Sequence, residues 1–170
     1  MPEAEGSTGS PAPVEPGRRE RRWDRWRRRW RSEKVIVKDH SMEPTFRPGD
    51  RLLVDPLAYR DEGPTRNDLV VVADPADPAR WLLKRVVATA GDFVRVTHGG
   101  VERRPIRSPA DAPSSGGTLE ELEVPPEHVF VLSDRPAHTR DSRQFGSIPR
   151  RAVLGRVWRR YYPAHRAGPV

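Results

Sequence analysis

Residues 81–92, Trp81-Leu82-Leu83-Lys84-Arg85-Val86-Val87-Ala88-Thr89-Ala90-Gly91-Asp92, read WLLKRVVATAGD. An apolar run through Ala88 that closes on a Gly-Asp turn signal is the pattern of a strand. Period-2 alternation sets Leu82, Lys84, Val86 and Ala88 on one face and Leu83, Arg85 and Val87 on the other. Lys84 is thereby aimed among leucine and valine. A lysine snorkelling from a sheet edge would write the same local pattern, so this stretch alone leaves both readings open.

The same signal repeats on either side. Short β runs span Val35–Val37, Arg51–Val54, Asp68–Ala73, Phe93–Thr97, His128–Leu132 and Ala152–Trp158. Turn chemistry separates them: Pro48-Gly49-Asp50, Asp74-Pro75, Gly91-Asp92 and Gly99-Gly100. A mostly β domain is expected over residues 35–160, with a long polar loop at 105–118 and a flexible tail at 161–170. Residues 1–17, rich in Pro, Gly, Ser, Ala and Glu, lack the apolar bulk to offset ordering entropy and read as a disordered tail.

Between tail and domain the period changes. Residues 18–34 place Trp23, Trp26 and Trp30 at i, i+3 and i+7, which gathers three indoles on one face of a basic amphipathic helix. Nine arginines and Lys34 fall in that segment, more positive side chains than the net +7 of the whole 170-residue chain. The functional reading is an anionic membrane surface, with indoles at headgroup level; the structural one is a helix docking its Trp face on the protein's own core. Nucleic acid is disfavoured as a partner because no base-reading fold accompanies the arginines. No apolar run reaches the roughly 18 residues a membrane span needs, and no apolar stretch behind the basic segment makes an export signal. The location expected is membrane-associated or cytoplasmic. The chain has no cysteine, which excludes disulfides and thiolate metal sites. His98, His128 and His165 lack metal-ligand spacing, so no metal site is expected.

Lysine is the exception in this composition. The chain uses 28 arginines and only three lysines, Lys34, Lys38 and Lys84. Arginine keeps its proton in a protein, whereas a desolvated lysine can lose it. A fall of about 2 to 3 units from the reference value near 10.4, roughly 3 to 4 kcal/mol, would make Lys84 a general base near neutrality. Its partner is sought in residues 40–50, HSMEPTFRPGD, where Ser41 stands ahead of two prolines and a Gly-Asp turn. Ser41 there is either a nucleophile or a loop hydroxyl capping backbone groups. A Ser-His-Asp arrangement of Ser41, His138 and Asp141 is the rival, although nothing in their spacing demands it.

Together these segments resemble the type I signal peptidase family of Ser-Lys endopeptidases, in order from about Val35 to Trp158. SMEPTFRPGDRLLV (41–54) is similar to the nucleophile box and TRNDLVVVADP (65–75) to the following strand. LLKRVVATAGD (82–92) is similar to the lysine box, and VPPEHVFVLSDRPAHTRDSRQFGSIP (124–149) to the last box. The resemblance implies an antiparallel β-sheet catalytic domain with a reduced second β subdomain at 93–123. It implies cleavage of precursor proteins after small residues, commonly Ala-x-Ala, with the substrate bound as an extended strand and no cofactor. Ser41 would form the acyl-enzyme, Lys84 would act as base and then acid, and the Ser41 backbone N–H would help hold the oxyanion. Thr139 matches a hydroxyl that positions the lysine amine, and Asp141 and Arg143 match a supporting ion pair.

The chain also departs from the family pattern. Asp39 stands two residues before Ser41 where many members carry a hydroxyl, and an ionised carboxylate there opposes an oxyanion unless it is protonated or turned away. SDRP at 133–136 replaces the usual Gly-Asp-Asn-Arg, and the family's membrane anchor is not recognisable. The compact layout is also similar to soluble maturation proteases such as those for nickel superoxide dismutase. A self-cleaving repressor or an inactive peptide-binding module are the readings of another class.

Overall fold

The computed structural model describes residues 32–97, 100–101, 120–136 and 139–170. The expected tail over 1–17, residues 18–31 of the Trp/Arg segment, the 105–118 loop and His138 lie outside the described residues. Eleven strands are seen in the described chain: β1 (Glu33–Ile36), β2 (Arg51–Asp55), β3 (Leu69–Asp74), β4 (Asp77–Thr89), β5 (Phe93–Thr97), β6 (Gly100–Val101), β7 (Glu120–Glu123), β8 (His128–Leu132), β9 (Ile148–Pro149), β10 (Val153–Tyr162) and β11 (Gly168–Pro169). The described helix is scant: one four-residue turn, α1 (Ser142–Phe145), and two short 3₁₀ turns.

All pairings are antiparallel, and the main sheet runs β1-β2-β10-β3-β4-β8-β9 with β11 on β10. A small sheet, β6-β5-β7, occupies the segment expected as the reduced subdomain. Strand β4 lies inside the large sheet, pairing Val70 with Lys84 on one side and Arg85 with Leu132 on the other. That position removes the sheet-edge reading of Lys84.

Alternation along β3 and β4 sorts the apolar residues to two faces, as a strand buried on both sides requires. Leu69, Val71 and Leu83 pack with Val37, Met42, Phe46, Leu52, Val54 and Val157. Val70, Val72, Leu82 and Val86 pack with Val129, Val131 and Ile148 on the other face. Lys84 belongs by alternation to this second face. A third cluster of Ala88, Val94, Val124, Phe130 and Leu132 ties the small sheet to the large one. Gly155 lets β10 close on β2: a Cβ there would stand 2.7 Å from Val54 Cγ1 and 2.8 Å from the Asp55 carbonyl oxygen.

Two boundaries differ from expectation. Glu33 and Lys34, read as the end of the amphipathic helix, are strand residues that pair with Val54 and Leu53. Residues 161–170, read as a flexible tail, extend β10 to Tyr162, turn through Ala164–Arg166 and pair back as β11. The reason is polar rather than hydrophobic. Arg166 donates to Asp50 at 3.1 Å, its carbonyl accepts from Arg160 Nε at 2.6 Å, and Asp50 is buried. A fixed buried carboxylate holds the chain end.

Candidate active site

The loop from Asp39 to Phe46 carries Ser41 and is fixed at both ends. Met42 and Phe46 are fully buried, and the Phe46 N–H donates to the Met42 carbonyl at 2.8 Å. Gly49 adopts φ +90°, a conformation glycine takes without steric penalty, so that its N–H reaches the Val37 carbonyl at 2.9 Å. The Arg135 N–H donates to the Ser41 carbonyl at 2.9 Å. The loop hydroxyl is thus held against the segment that follows β8.

Lys84 comes from the middle of β4, only 2% exposed. Its Nζ donates to the Leu83 carbonyl at 3.1 Å. Burial drives the Lys84 pKa below the usual lysine value; Asp39, Asp141 and Asp74 oppose that shift and Arg80 adds to it. Ser41 and Lys84 line one cavity of about 520 Å³ together with Asp39, His40, Arg80, Leu82, Arg135, Thr139 and Arg140. A groove of about 720 Å³, bordered by residues 34–39 of the β1 end and 79–83 of β4, shares Asp39, Arg80 and Leu82 with that cavity. On its rim Ile36 and Trp81 are 55% and 52% exposed.

Asp39 turns toward Ser41. Its Oδ1 accepts the Ser41 backbone N–H at 2.9 Å. Burial pushes the Asp39 pKa up, but hydrogen bonds from the Ser41 hydroxyl and N–H, with the charges of Lys84 and Arg80, outweigh burial and hold it below the ordinary carboxylate value. The donor expected to meet an oxyanion is therefore already occupied by a carboxylate.

The segment Ser133–Arg143 braces the site. Asp141 is fully buried, caps α1, and accepts from the Arg143 guanidinium at 2.8 and 2.7 Å and from the Ser133 N–H at 3.0 Å. Burial raises the Asp141 pKa, but the Arg143 and Ser133 bonds win and hold it low. Thr139 borders the cavity, yet its single hydroxyl proton is shared between the Arg135 and Pro136 carbonyls at 3.3 and 3.5 Å, and its oxygen accepts from Arg143 at 3.3 Å, not from the lysine. Asp141 is engaged by Arg143 and Ser133, and His138 of the rival Ser-His-Asp arrangement lies outside the described residues; His40, beside the serine, pairs through Nδ1 with Glu43 at 2.9 Å. Sequence reasoning missed the Asp134 hub, which accepts from Arg85 at 2.8 Å through both oxygens and from the Thr45 hydroxyl, joining the serine loop, the lysine strand and the end of β8. Its signal was Arg85 standing next to Lys84.

The family model for signal peptidase, peptidase S26, matches residues 28–162. The chain belongs to the signal peptidase S26 family. Two relatives carry the match over most of both lengths. The mitochondrial ATP-independent inner membrane protease subunit 1b of Arabidopsis thaliana is 34% identical, covering 76% of this chain and 70% of that one. Signal peptidase I of Leptolyngbya laminosa is 30% identical over 82% of this chain and 73% of that one. A solved signal peptidase I from Enterococcus faecalis V583 aligns with a TM-score of 0.42 at 19% identity, covering 56% of this chain and 97% of that chain. The protein is a serine endopeptidase of the signal peptidase I type. Among the described residues of this peptidase, no helix is long and apolar enough to cross a membrane.

Proposed function

We propose that this signal peptidase-type protease works through a Ser41–Lys84 dyad on precursor proteins. The observation that supports the reading is the shared cavity, lined both by buried Ser41 and by the desolvated Lys84. A Lys84 whose pKa is depressed by burial is neutral over more of the physiological range than an ordinary lysine. The neutral amine takes the Ser41 hydroxyl proton as Oγ attacks the scissile carbonyl carbon. The resulting ammonium then gives a proton to the departing amine, leaving an acyl-enzyme that water hydrolyses by the same route. An extended substrate fits the groove between the β1 end and β4, whose unpaired edge there offers main-chain partners.

Asp39 must rotate for the Ser41 N–H to meet the oxyanion, so carboxylate displacement is part of substrate binding in this reading. Asp141 and Arg143 serve as supporting residues that hold the segment behind Lys84. Trp23, Trp26 and Trp30 with the surrounding arginines supply attachment to an anionic membrane surface, a role supported by their helical spacing and by the inner membrane protease among the relatives. The test is mass spectrometry of the protein acidified during turnover of an Ala-x-Ala peptide. Wild type carries the peptide's N-terminal fragment as an ester on Ser41, and Ser41→Ala neither carries it nor cleaves. Full cleavage by Ser41→Ala would sink the reading.

A further inference from the structure

We propose that Ser133 is a positioning residue for the Lys84 amine, an inference that rests on the reading of Lys84 as the base. Strand β8 pairs with β4 through Arg85↔Leu132 and Val86↔Val131, and the same register carried one residue further sets Ser133 across from Lys84. Side-chain alternation agrees. Val129 and Val131 pack on the face of Leu82 and Val86, and Ser133 is next in that series, as Lys84 is in the series of β4. The N–H groups of Val131 and Ser133 donate to Ser142 Oγ and Asp141 Oδ2, both at 3.0 Å. Those bonds leave no Ser133 N–H for β4. Lys84 and Ser133 therefore face each other as a non-hydrogen-bonded pair, the antiparallel position at which side chains approach most closely.

The hydroxyl at this place is unused. Ser133 is 3% exposed and its Oγ has no hydrogen-bond partner, although buried hydroxyls are nearly always satisfied. Lys84 Nζ has one hydrogen bond, to the Leu83 carbonyl, and an amine or ammonium carries further N–H donors. Thr139, the hydroxyl expected to serve the lysine, is bound to loop carbonyls and Arg143 instead. Ser133 Oγ is thus the acceptor for a second Nζ–H when Lys84 turns toward Ser41, which leaves the amine lone pair directed at the serine proton. The charged groups around Nζ are Asp39 from the serine loop, Arg80 from its own strand, Asp74 from β3 and Asp141 from the segment after β8. None of them supplies a neutral acceptor.

An acceptor binds an ammonium more strongly than an amine, so losing it lowers the lysine midpoint. Lysine labelled with ¹³C at Cε is titrated by NMR in the full chain, the three signals being assigned with Lys34→Arg and Lys38→Arg. Kinetics are followed with a fluorogenic Ala-x-Ala peptide. Ser133→Ala moves the Lys84 midpoint down by about one pH unit and lowers kcat about tenfold with KM within about twofold. Ser133→Thr, which keeps the hydroxyl, stays near wild type in both. A Lys84 midpoint in folded Ser133→Ala equal to that of wild type overturns the proposal. So does a fall in kcat that Ser133→Thr shares in full while its midpoint also moves. If wild type leaves the peptide uncut but the midpoint shifts as stated, the positioning role stands and the peptidase reading of this site is what fails.

Discussion

In the proposed dyad, Asp39 is the residue on which the chemistry of Ser41 turns. Its carboxylate accepts the Ser41 N–H at 2.9 Å and stays ionised down to a lower pH than an ordinary aspartate, so it is charged wherever Lys84 could act as a base. An oxyanion in that place would meet negative charge, and the cost falls on the transition state rather than on substrate binding. Asp39→Ser removes the carboxylate and leaves the N–H free. We expect kcat to rise about tenfold, since one oxyanion donor is worth that much or more in acyl transfer. The pH profile changes too. Asp39 favours the Lys84 ammonium and so raises the lysine pKa; removing it lets that pKa fall, and the acid limb of kcat/KM moves to lower pH. A tenfold loss of kcat in this variant would instead make Asp39 necessary for orienting the Ser41 hydroxyl.

The elements differ in how plainly the chain announces them. Short apolar runs bounded by Pro, Gly and Asp mark β2, β3, β5, β8 and most of β10 near their observed limits, because each buries apolar side chains in the sheet. The placement of Lys84 was legible for the same reason. What was not legible joins residues far apart, Asp134 to Thr45 and Arg85 and Arg135 to Ser41, or ties a turn to itself without a pattern, as Ser133 does to Asp141. Polar contacts of this kind carry no periodicity, so the sequence pattern assigns no element between β8 and β9, where α1 is found. The stability of the segment Ser133–Arg143 rests on Asp141. Asp141→Ala leaves the Arg143 guanidinium and the Ser133 N–H without their acceptor, and we expect a loss of about 3 kcal/mol at neutral pH, about 9 °C in Tm for a chain of this size. The sign with pH follows from the depressed Asp141 pKa. Its contribution is full above the unfolded carboxyl value and is lost as pH falls through the folded one, so the gap to wild type narrows in acid. Thermal unfolding at pH 7 and at about pH 3 measures this. Equal Tm values at pH 7 would remove Asp141 from the account.

Across the whole molecule, one sheet carries both halves of the site and the chain end locks one of them. Arg160 donates to the Thr45 carbonyl at 2.9 Å, and with Arg166 it pairs with buried Asp50, so residues from β10 onward hold the loop that bears Ser41. The C-terminal segment read as frayed because Pro, Ala, His and Gly offer no apolar stripe, while its anchors are main-chain pairs to β10 and two guanidinium groups. In the proposed dyad the sheet presents a deprotonatable amine to Ser41, and the other two lysines, Lys34 and Lys38, are exposed. Lys84→Arg keeps the charge and the approximate length but cannot release its proton. Turnover of an Ala-x-Ala peptide by folded Lys84→Arg, compared with wild type from pH 6 to about pH 10, is the most direct measurement. Lys84→Arg is expected to lose cleavage by at least about a thousandfold at every pH; turnover within about tenfold of wild type would rule out Lys84 as the base.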